Sequence, residues 1–259
     1  MGDYQREKAI VRAYQTDLLA APQSVSETLR KHVSADYLWR GFHPFNELQG
    51  AAAVARTFWD PLRTSLTSLT RREDVFFAGA NHIDGGETIW VVSMGHLLGL
   101  FDHSWLGIRP TGKMAFLRYC EFHCVQGGKI TETAMYFDIP HLMAQAGQSP
   151  FDSQTAQHLV QPGPATHDGL LYQPQPMETG KDTLDLLHRM IGDLGQWQSG
   201  LPLEDELRQT WAEDMIWWGP EGIGATYTIE RYAKQHSGPF RAAFSERSKT
   251  TICRSSRGI

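Results

Sequence analysis

Lys113-Met-Ala-Phe-Leu-Arg-Tyr-Cys-Glu-Phe-His-Cys-Val-Gln-Gly-Gly-Lys-Ile-Thr-Glu-Thr-Ala-Met-Tyr-Phe-Asp138 is the stretch on which the fold turns. Aromatic and β-branched residues fill it on both sides of Gly127-Gly128. This is the pattern of two antiparallel strands, 113–125 and 129–137, joined by a tight turn. Upstream, 74–80 and 88–100 have the same character, set off by Gly85-Gly86 and Pro110-Thr-Gly112. Before this meander the periodicity is helical. Residues 3–21 place Ile10, Val11, Tyr14, Leu18 and Leu19 near helical spacing. Ser24 or Ser26 can cap a second helix through Val33, with Glu27 at capping-box distance from Ser24. Residues 41–48 read as a loop, and 50–69 as a third helix that Pro61 should break or kink. A short helix, 139–146, closes the run. Helices followed by a meander predict an α+β fold in which a curled antiparallel sheet packs on N-terminal helices.

The helical opening occurs twice. Ser26-Glu-Thr-Leu-Arg-Lys-His-Val-Ser-Ala-Asp-Tyr-Leu-Trp-Arg-Gly41 returns, shifted by 178 positions, as Glu204-Asp-Glu-Leu-Arg-Gln-Thr-Trp-Ala-Glu-Asp-Met-Ile-Trp-Trp-Gly219. Leu29/Leu207, Arg30/Arg208, Asp36/Asp214, Trp39/Trp217 and Gly41/Gly219 coincide without a gap, and Pro61-Leu-Arg63 matches Pro239-Phe-Arg241. Similarity at one long offset predicts tandem domains: a first domain at 1–148, a Pro-rich linker at 149–180 and a partial second copy at 181–259. At this shift Ile259 corresponds to Asn81, so the second copy has only the helical half, as in a truncated or frame-shifted product. Its apolar positions Leu207, Trp211, Ile216, Trp217, Phe240 and Phe244 would then lack a covering sheet.

Composition sets outer bounds. The chain has 259 residues, 41% hydrophobic and 20% charged, with net charge -5 and no Lys/Arg run, which argues against nucleic acid or an anionic membrane as partner. No apolar run approaches the ~20 residues of a membrane helix. The charged N-terminus has no signal-peptide core, and Gly2 lacks the Ser or Thr that myristoylation requires. Three cysteines, two of them (Cys120 and Cys124) on one strand too far apart to bridge, fit a reduced cytoplasmic protein.

No nucleophile elbow, P-loop, dinucleotide fingerprint or zinc-protease motif is present, and the 11 histidines show no metal-ligand spacing, so neither metal nor cofactor is expected. Asp138 ends a strand in an apolar setting. A carboxylate desolvated among aromatic groups can exchange a proton near neutral pH, while an Asp ahead of Ile139-Pro140 can equally cap the helix that follows. Its neighbours depend on the turn. A two-residue turn pairs Leu117 with Asp138 and puts Tyr119, Glu121 and His123 on that face. A three-residue turn pairs Phe116 with Asp138 and sets Arg118 beside Tyr136. Arg118, Glu121 and His123 on one strand suggest a pocket or, equally, a surface facing solvent or a partner subunit in a homodimer. Trp59, Trp197 and Trp211 read as core, and Trp39 and Trp217 as anchors at the end of the second helix. Trp105 and His103, on the loop 101–112, could close over a ligand.

Trp105-Leu-Gly-Ile-Arg-Pro-Thr-Gly-Lys113, Gly127-Gly-Lys-Ile-Thr-Glu132 and Asp138-Ile-Pro-His-Leu-Met-Ala-Gln-Ala-Gly147 together resemble the SnoaL-like polyketide cyclases of the nuclear-transport-factor-2-like (NTF2-like) superfamily. The resemblance implies a cone of sheet and helices around a pocket. It also implies a cofactor-independent aldol cyclisation or isomerisation of a small apolar carbonyl compound, with Asp138 as acid/base and His123 assisting. The ligand-facing candidates are then Arg118, Glu121, Tyr136, Trp105, His103 and Trp39. Two other readings stay open: a non-catalytic small-ligand or dimerisation module, and an epoxide hydrolase, for which Arg118 and Asp138 supply two members of an Asp-Arg-Asp set.

Overall fold

A computed structural model of the chain describes residues 4–20, 24–157, 163–164, 166–195 and 200–244. It divides into two compact units, Met1–Pro150 with Pro162–Pro174, and Phe151–Gln161 with Gln175–Ile259.

In the first unit α1 (Gln5–Ala20) and α2 (Val25–His32) lead directly into β1 (Val33–Arg40) and β2 (Glu47–Gln49). The helix α3 (Ala51–Val54) widens into a π-helical turn, Ala55–Trp59, and continues as α4 (Asp60–Ser65). Proline has no N–H for the helical ladder, and the widened turn immediately precedes Pro61. Four long strands follow: β3 (Leu66–Ala80), β4 (Ile89–Phe101), β5 (Met114–Gln126) and β6 (Lys129–Phe137), then α5 (Ile139–Gln145). Sheet order is β2-β1-β6-β5-β4-β3; β1 runs parallel to β6 and the other neighbours are antiparallel. Tyr14, Leu29, Phe58, Leu62, Leu117 and Met135 meet in a core between helices and sheet.

Two expectations are corrected. The third helix stops at Ser65 rather than 69, and β3 begins at once, eight residues before the expected 74. Residues 66–73 mix Leu and Thr with Ser, Arg and Glu and carry no strong strand signal; pairing with β4 makes them a strand. Trp39 lies on β1, not at a helix end, because 33–40 joins the sheet through a partner some 95 residues away.

The β5–β6 register matches neither turn considered. Gln126 pairs with Lys129 across a two-residue turn, but an irregularity between Cys124 and Val125 shifts the ladder by one. Tyr119 therefore opposes Phe137, and the Asp138 N–H donates to the Arg118 carbonyl (3.2 Å). The inward-facing residues of β5 are Leu117, Tyr119, Glu121 and His123.

The stretch expected as a linker is divided. Residues 169–171 run beside β3: the Phe76 N–H donates to the Gly169 carbonyl (2.8 Å) and the Leu171 N–H to the Phe76 carbonyl (2.7 Å). Lys8 Nζ donates to the carbonyl oxygens of Leu171 (2.7 Å) and Gln173 (3.3 Å). This strap covers what would otherwise be an open sheet edge.

The second unit contains α6 (Met177–Gly195), α7 (Leu203–Leu207), β7 (Ile216–Trp217), β8 (Thr226–Tyr227), α8 (Ile229–Tyr232), a π-helical turn at Ala233–Ser237 and α9 (Gly238–Ala243). The last three begin and end where α3, the first π-helical turn and α4 do, 178 positions on. At both Gly41 and Gly219 the indole two residues earlier folds over the backbone, where a Cβ would overlap it. Leu207, Ile229, Tyr232 and Ala233 form a small core with Trp211 and Trp217, while Phe240 and Phe244 are 46% and 53% exposed. Gln157 pairs with Ala225, so residues before the strap belong to this unit. Trp197 and 250–259, on which expectations were also placed, lie outside the described residues. No described helix is long and apolar enough to cross a membrane.

Candidate functional site

The concave face of the first unit's sheet carries a buried polar cluster in an otherwise apolar cone. Arg71 on β3 reaches Glu121 on β5, Nη1 to Oε2, at 2.6 Å, with side chains 7% and 0% exposed. His123, two residues along β5, places Nε2 3.6 Å from the same carboxylate oxygen and Nδ1 2.9 Å from Thr133 Oγ1 on β6. Tyr14 of α1 meets the His123 ring edge-on at 5.3 Å. The Arg71 guanidinium lies 4.3 Å from the Tyr119 ring centre, a cation–π contact. Ser93 Oγ donates to Glu73 Oε1 (2.5 Å) and lies 3.0 Å from the Tyr119 hydroxyl. One hydroxyl has one proton, so Tyr119 is the donor to Ser93. Tyr172, on the strap, donates to the other Glu73 oxygen (2.7 Å).

Burial and charge act against each other here. Burial pushes the Glu121 carboxyl up, but the Arg71 guanidinium and His123 outweigh it and hold it down at about 2. Glu121 is therefore an anion at all ordinary pH. Burial pushes the Tyr119 hydroxyl up to about 12 and raises those of Tyr14 and Tyr37 further, aided by the Glu121 charge. All three stay neutral hydrogen-bond donors.

Buried polar atoms are nearly always hydrogen-bonded. In this cone Tyr14 Oη, Tyr37 Oη, Trp59 Nε1, Arg71 Nε and Nη2, Glu121 Oε1 and His123 Nε2 all lack a partner at hydrogen-bonding geometry. They are mutual neighbours: Tyr14 faces Trp59, Tyr37 faces Thr133 and Tyr14, and His123 faces Glu121, pairs that fall just outside that geometry. A small shift within the cluster, ordered water or a guest would complete these bonds. The cone's other end is closed by rings: Trp39, Phe45, Phe58, Trp105 and Phe137 stack or meet edge-on at 4.8–6.5 Å.

Of the residues expected from sequence, the fold brings His123 and Glu121 together in this cluster and disperses the rest. Trp39 and Trp105 are fully packed members of the aromatic closure, not a flexible lid. His103 is exposed. Tyr136 is 52% exposed and stacks on Phe42 at 4.2 Å. Arg118 alternates with the core residues Leu117 and Tyr119, and Asp138 follows the packed Phe137, so both lie on the convex face.

There Asp138 accepts from Arg118 Nη2 (2.9 Å) and from the His141 N–H (3.1 Å), the N-cap bond of α5. Leu142 is fully buried. Gln145 brackets the backbone of Phe116, its Oε1 accepting from the Phe116 N–H (2.9 Å) and its Nε2 donating to the Phe116 carbonyl (2.7 Å). β6 has ended at this level, so the Gln145 amide stands in for the missing strand. Gly147, with φ 69°, follows the helix end. Each named position of Asp138-x-x-x-Leu142-x-x-Gln145-x-Gly147 thus helps anchor α5 on β5. Nearby on the convex face, His96 Nδ1 is 3.5 Å from Asp74 Oδ2, and burial, with His141, Arg118 and Arg72, brings the ring down to about 4.

The residues that sequence reasoning missed are Arg71, Tyr14, Tyr37 and Thr133. Alternation of Leu69, Arg71 and Glu73 was the available signal, obscured by reading 50–69 as helix.

A sheet curled over N-terminal helices to enclose such a cone is the NTF2-like fold. Many of the solved structures that the chain resembles are SnoaL-like polyketide cyclases. A candidate SnoaL-like polyketide cyclase from Jannaschia sp. CCS1 is 17% identical, with 56% of this chain and 93% of that one covered and a TM-score of 0.44. A candidate polyketide cyclase from Xanthomonas campestris pv. campestris is 19% identical over 56% and 99%, TM-score 0.44. A candidate isomerase from Bacillus subtilis is 15% identical over 57% and 98%, TM-score 0.41. No family model matches the chain, and no curated protein does.

Proposed function

We propose that the first unit is a cofactor-independent acid/base protein of the cyclase or isomerase type, acting on a small, largely apolar carbonyl compound inside the cone. The observation that carries this reading is the set of unmet polar atoms around His123. In the tautomer whose Nδ1 proton goes to Thr133 Oγ1, the His123 ring offers a lone pair at Nε2, the nitrogen that lies 3.6 Å from Glu121 Oε2. Nε2 takes a proton from the carbon next to the carbonyl. The electron pair moves to the carbonyl oxygen, where a Tyr14 or Tyr37 hydroxyl and Arg71 meet the developing charge. Glu121 stabilises the imidazolium until the proton returns to carbon or oxygen. Asp138, the acid/base that the family resemblance suggests, here takes the part of helix cap and partner of Arg118. The test is deuterium uptake: a panel of ketones and keto esters in D2O, followed by NMR, should exchange α-protons faster with protein than with buffer, and His123→Asn should abolish the difference.

The aromatic closure favours a second reading, a binding module that encloses an apolar ligand without turning it over. Saturable binding of these compounds with no exchange in any of them would establish it.

We also propose that the second unit is a partial copy of the first, on the strength of the shared 178-residue offset in sequence and in element boundaries. Hydrogen exchange faster across α6–α9 than across the first unit supports this; equal protection in the monomer contradicts it.

A further inference from the structure

Arg71 holds Glu121 through Nη1 alone. Its Nε and Nη2, the two parallel donors along one edge of the guanidinium, are buried and reach no acceptor at full hydrogen-bonding geometry, although the side chain is only 7% exposed. The Tyr119 hydroxyl, which donates to Ser93, interacts with the guanidinium but leaves this edge without a full hydrogen bond. That edge matches a carboxylate, whose two oxygens accept both N–H groups at once; a lone ketone oxygen satisfies only one. We infer that the chamber takes a ligand bearing a carboxylate, gripped bidentately by the Nε–Nη2 edge of Arg71. This rests on the reading of the cone as a ligand chamber, not on turnover.

Benzoate and phenylacetate, with benzamide and acetophenone as neutral counterparts of similar shape, serve as probes. Calorimetric titrations of the full chain should show the carboxylates binding at least tenfold more tightly than the neutral pair. Arg71→Lys keeps a cation beside Glu121 but has no fork, and should weaken carboxylate binding tenfold or more while weakening that of the neutral compounds far less. Should that variant not fold, the double variant Arg71→Met/Glu121→Leu removes the pair together and should lose the carboxylate preference. Equal binding of benzoate and benzamide, or undiminished benzoate binding by Arg71→Lys, overturns the inference. Carboxylate binding that depends on Arg71, without deuterium exchange in any compound, sinks the proposed chemistry and leaves this site standing. Exchange in neutral ketones that carboxylates neither join nor inhibit does the reverse.

Discussion

The sheet carries an arginine, a carboxylate and a histidine twice: Arg71, Glu121 and His123 on its concave face, Arg118, Asp138 and His96 on its convex face. On the convex side both Asp138 oxygens are engaged, by Arg118 and by the His141 N–H, and the grouping anchors α5. On the concave side Glu121 Oε1, His123 Nε2 and half of the Arg71 fork are open, although the groups are as deeply buried. The contrast teaches that residue types alone do not distinguish an anchor from a site; the hydrogen-bonding capacity left over does.

The largest effect should come from exchanging the two faces in mutagenesis. His123→Asn should lower proton exchange by roughly 10²- to 10⁴-fold, the usual contribution of a positioned acid/base group. Asp138→Ala should leave exchange within severalfold but cost about 1–3 kcal/mol in urea unfolding through the lost cap and ion-pair bond. The opposite pattern, activity lost with Asp138 and kept with His123, would move the chemistry to the convex face. Stability should show the complementary asymmetry. Arg71→Met strands the wholly buried Glu121 anion and should cost about 3–5 kcal/mol, whereas Arg118→Met leaves Asp138 its cap bond and should cost about 1.5–3 kcal/mol. Gln145→Ala, which exposes both backbone groups of Phe116 to an unpaired state, should cost about 1–3 kcal/mol.

The convex face also predicts a pH dependence. The His96 ring is held from an ordinary 6.5 down to about 4, so the folded protein binds fewer protons than the unfolded chain between those values. Its contribution to stability is present above about 6.5 and is lost as pH falls towards 4. The urea midpoint should decline through that window, and His96→Gln should flatten the decline. Glu121 acts lower: its contribution is full above about 4.5 and is lost as pH falls towards about 2. The smallest effect concerns the strap. A fragment of residues 1–174 should melt a few degrees above one of 1–148, since only the longer keeps the Phe76 pairing and the Lys8 bonds to Leu171 and Gln173. Identical melting would mean that the strap adds nothing to the β3 edge.

Much of the architecture could be read along the chain, because it rests on local periodicity and punctuation. The alternation on either side of Gly127-Gly128 signals the β5–β6 hairpin, and the helical spacing of Val11, Tyr14 and Leu18 signals α1; both are present. The dual part of Asp138 as cap was equally legible, since Asp before Ile-Pro is a local helix signal. What failed locally depended on distant partners. β1 is a strand only because β6 lies beside it, and residues 66–73 are a strand only because β4 does.

For the site, the sequence by itself determined that Glu121 and His123 share a face, since alternate residues of one strand must. It could not determine which face that is. A single irregularity between Cys124 and Val125 sets the β5–β6 register, and burial against α1 assigns Glu121 and His123 to the core and Arg118 and Asp138 to the outside. Nor could it supply Arg71, Tyr14, Tyr37 and Thr133, which come from four separate elements and meet only when the sheet curls around the helices. Periodicity fixes what lies side by side on one element; only closure of the sheet decides what lies across the cavity.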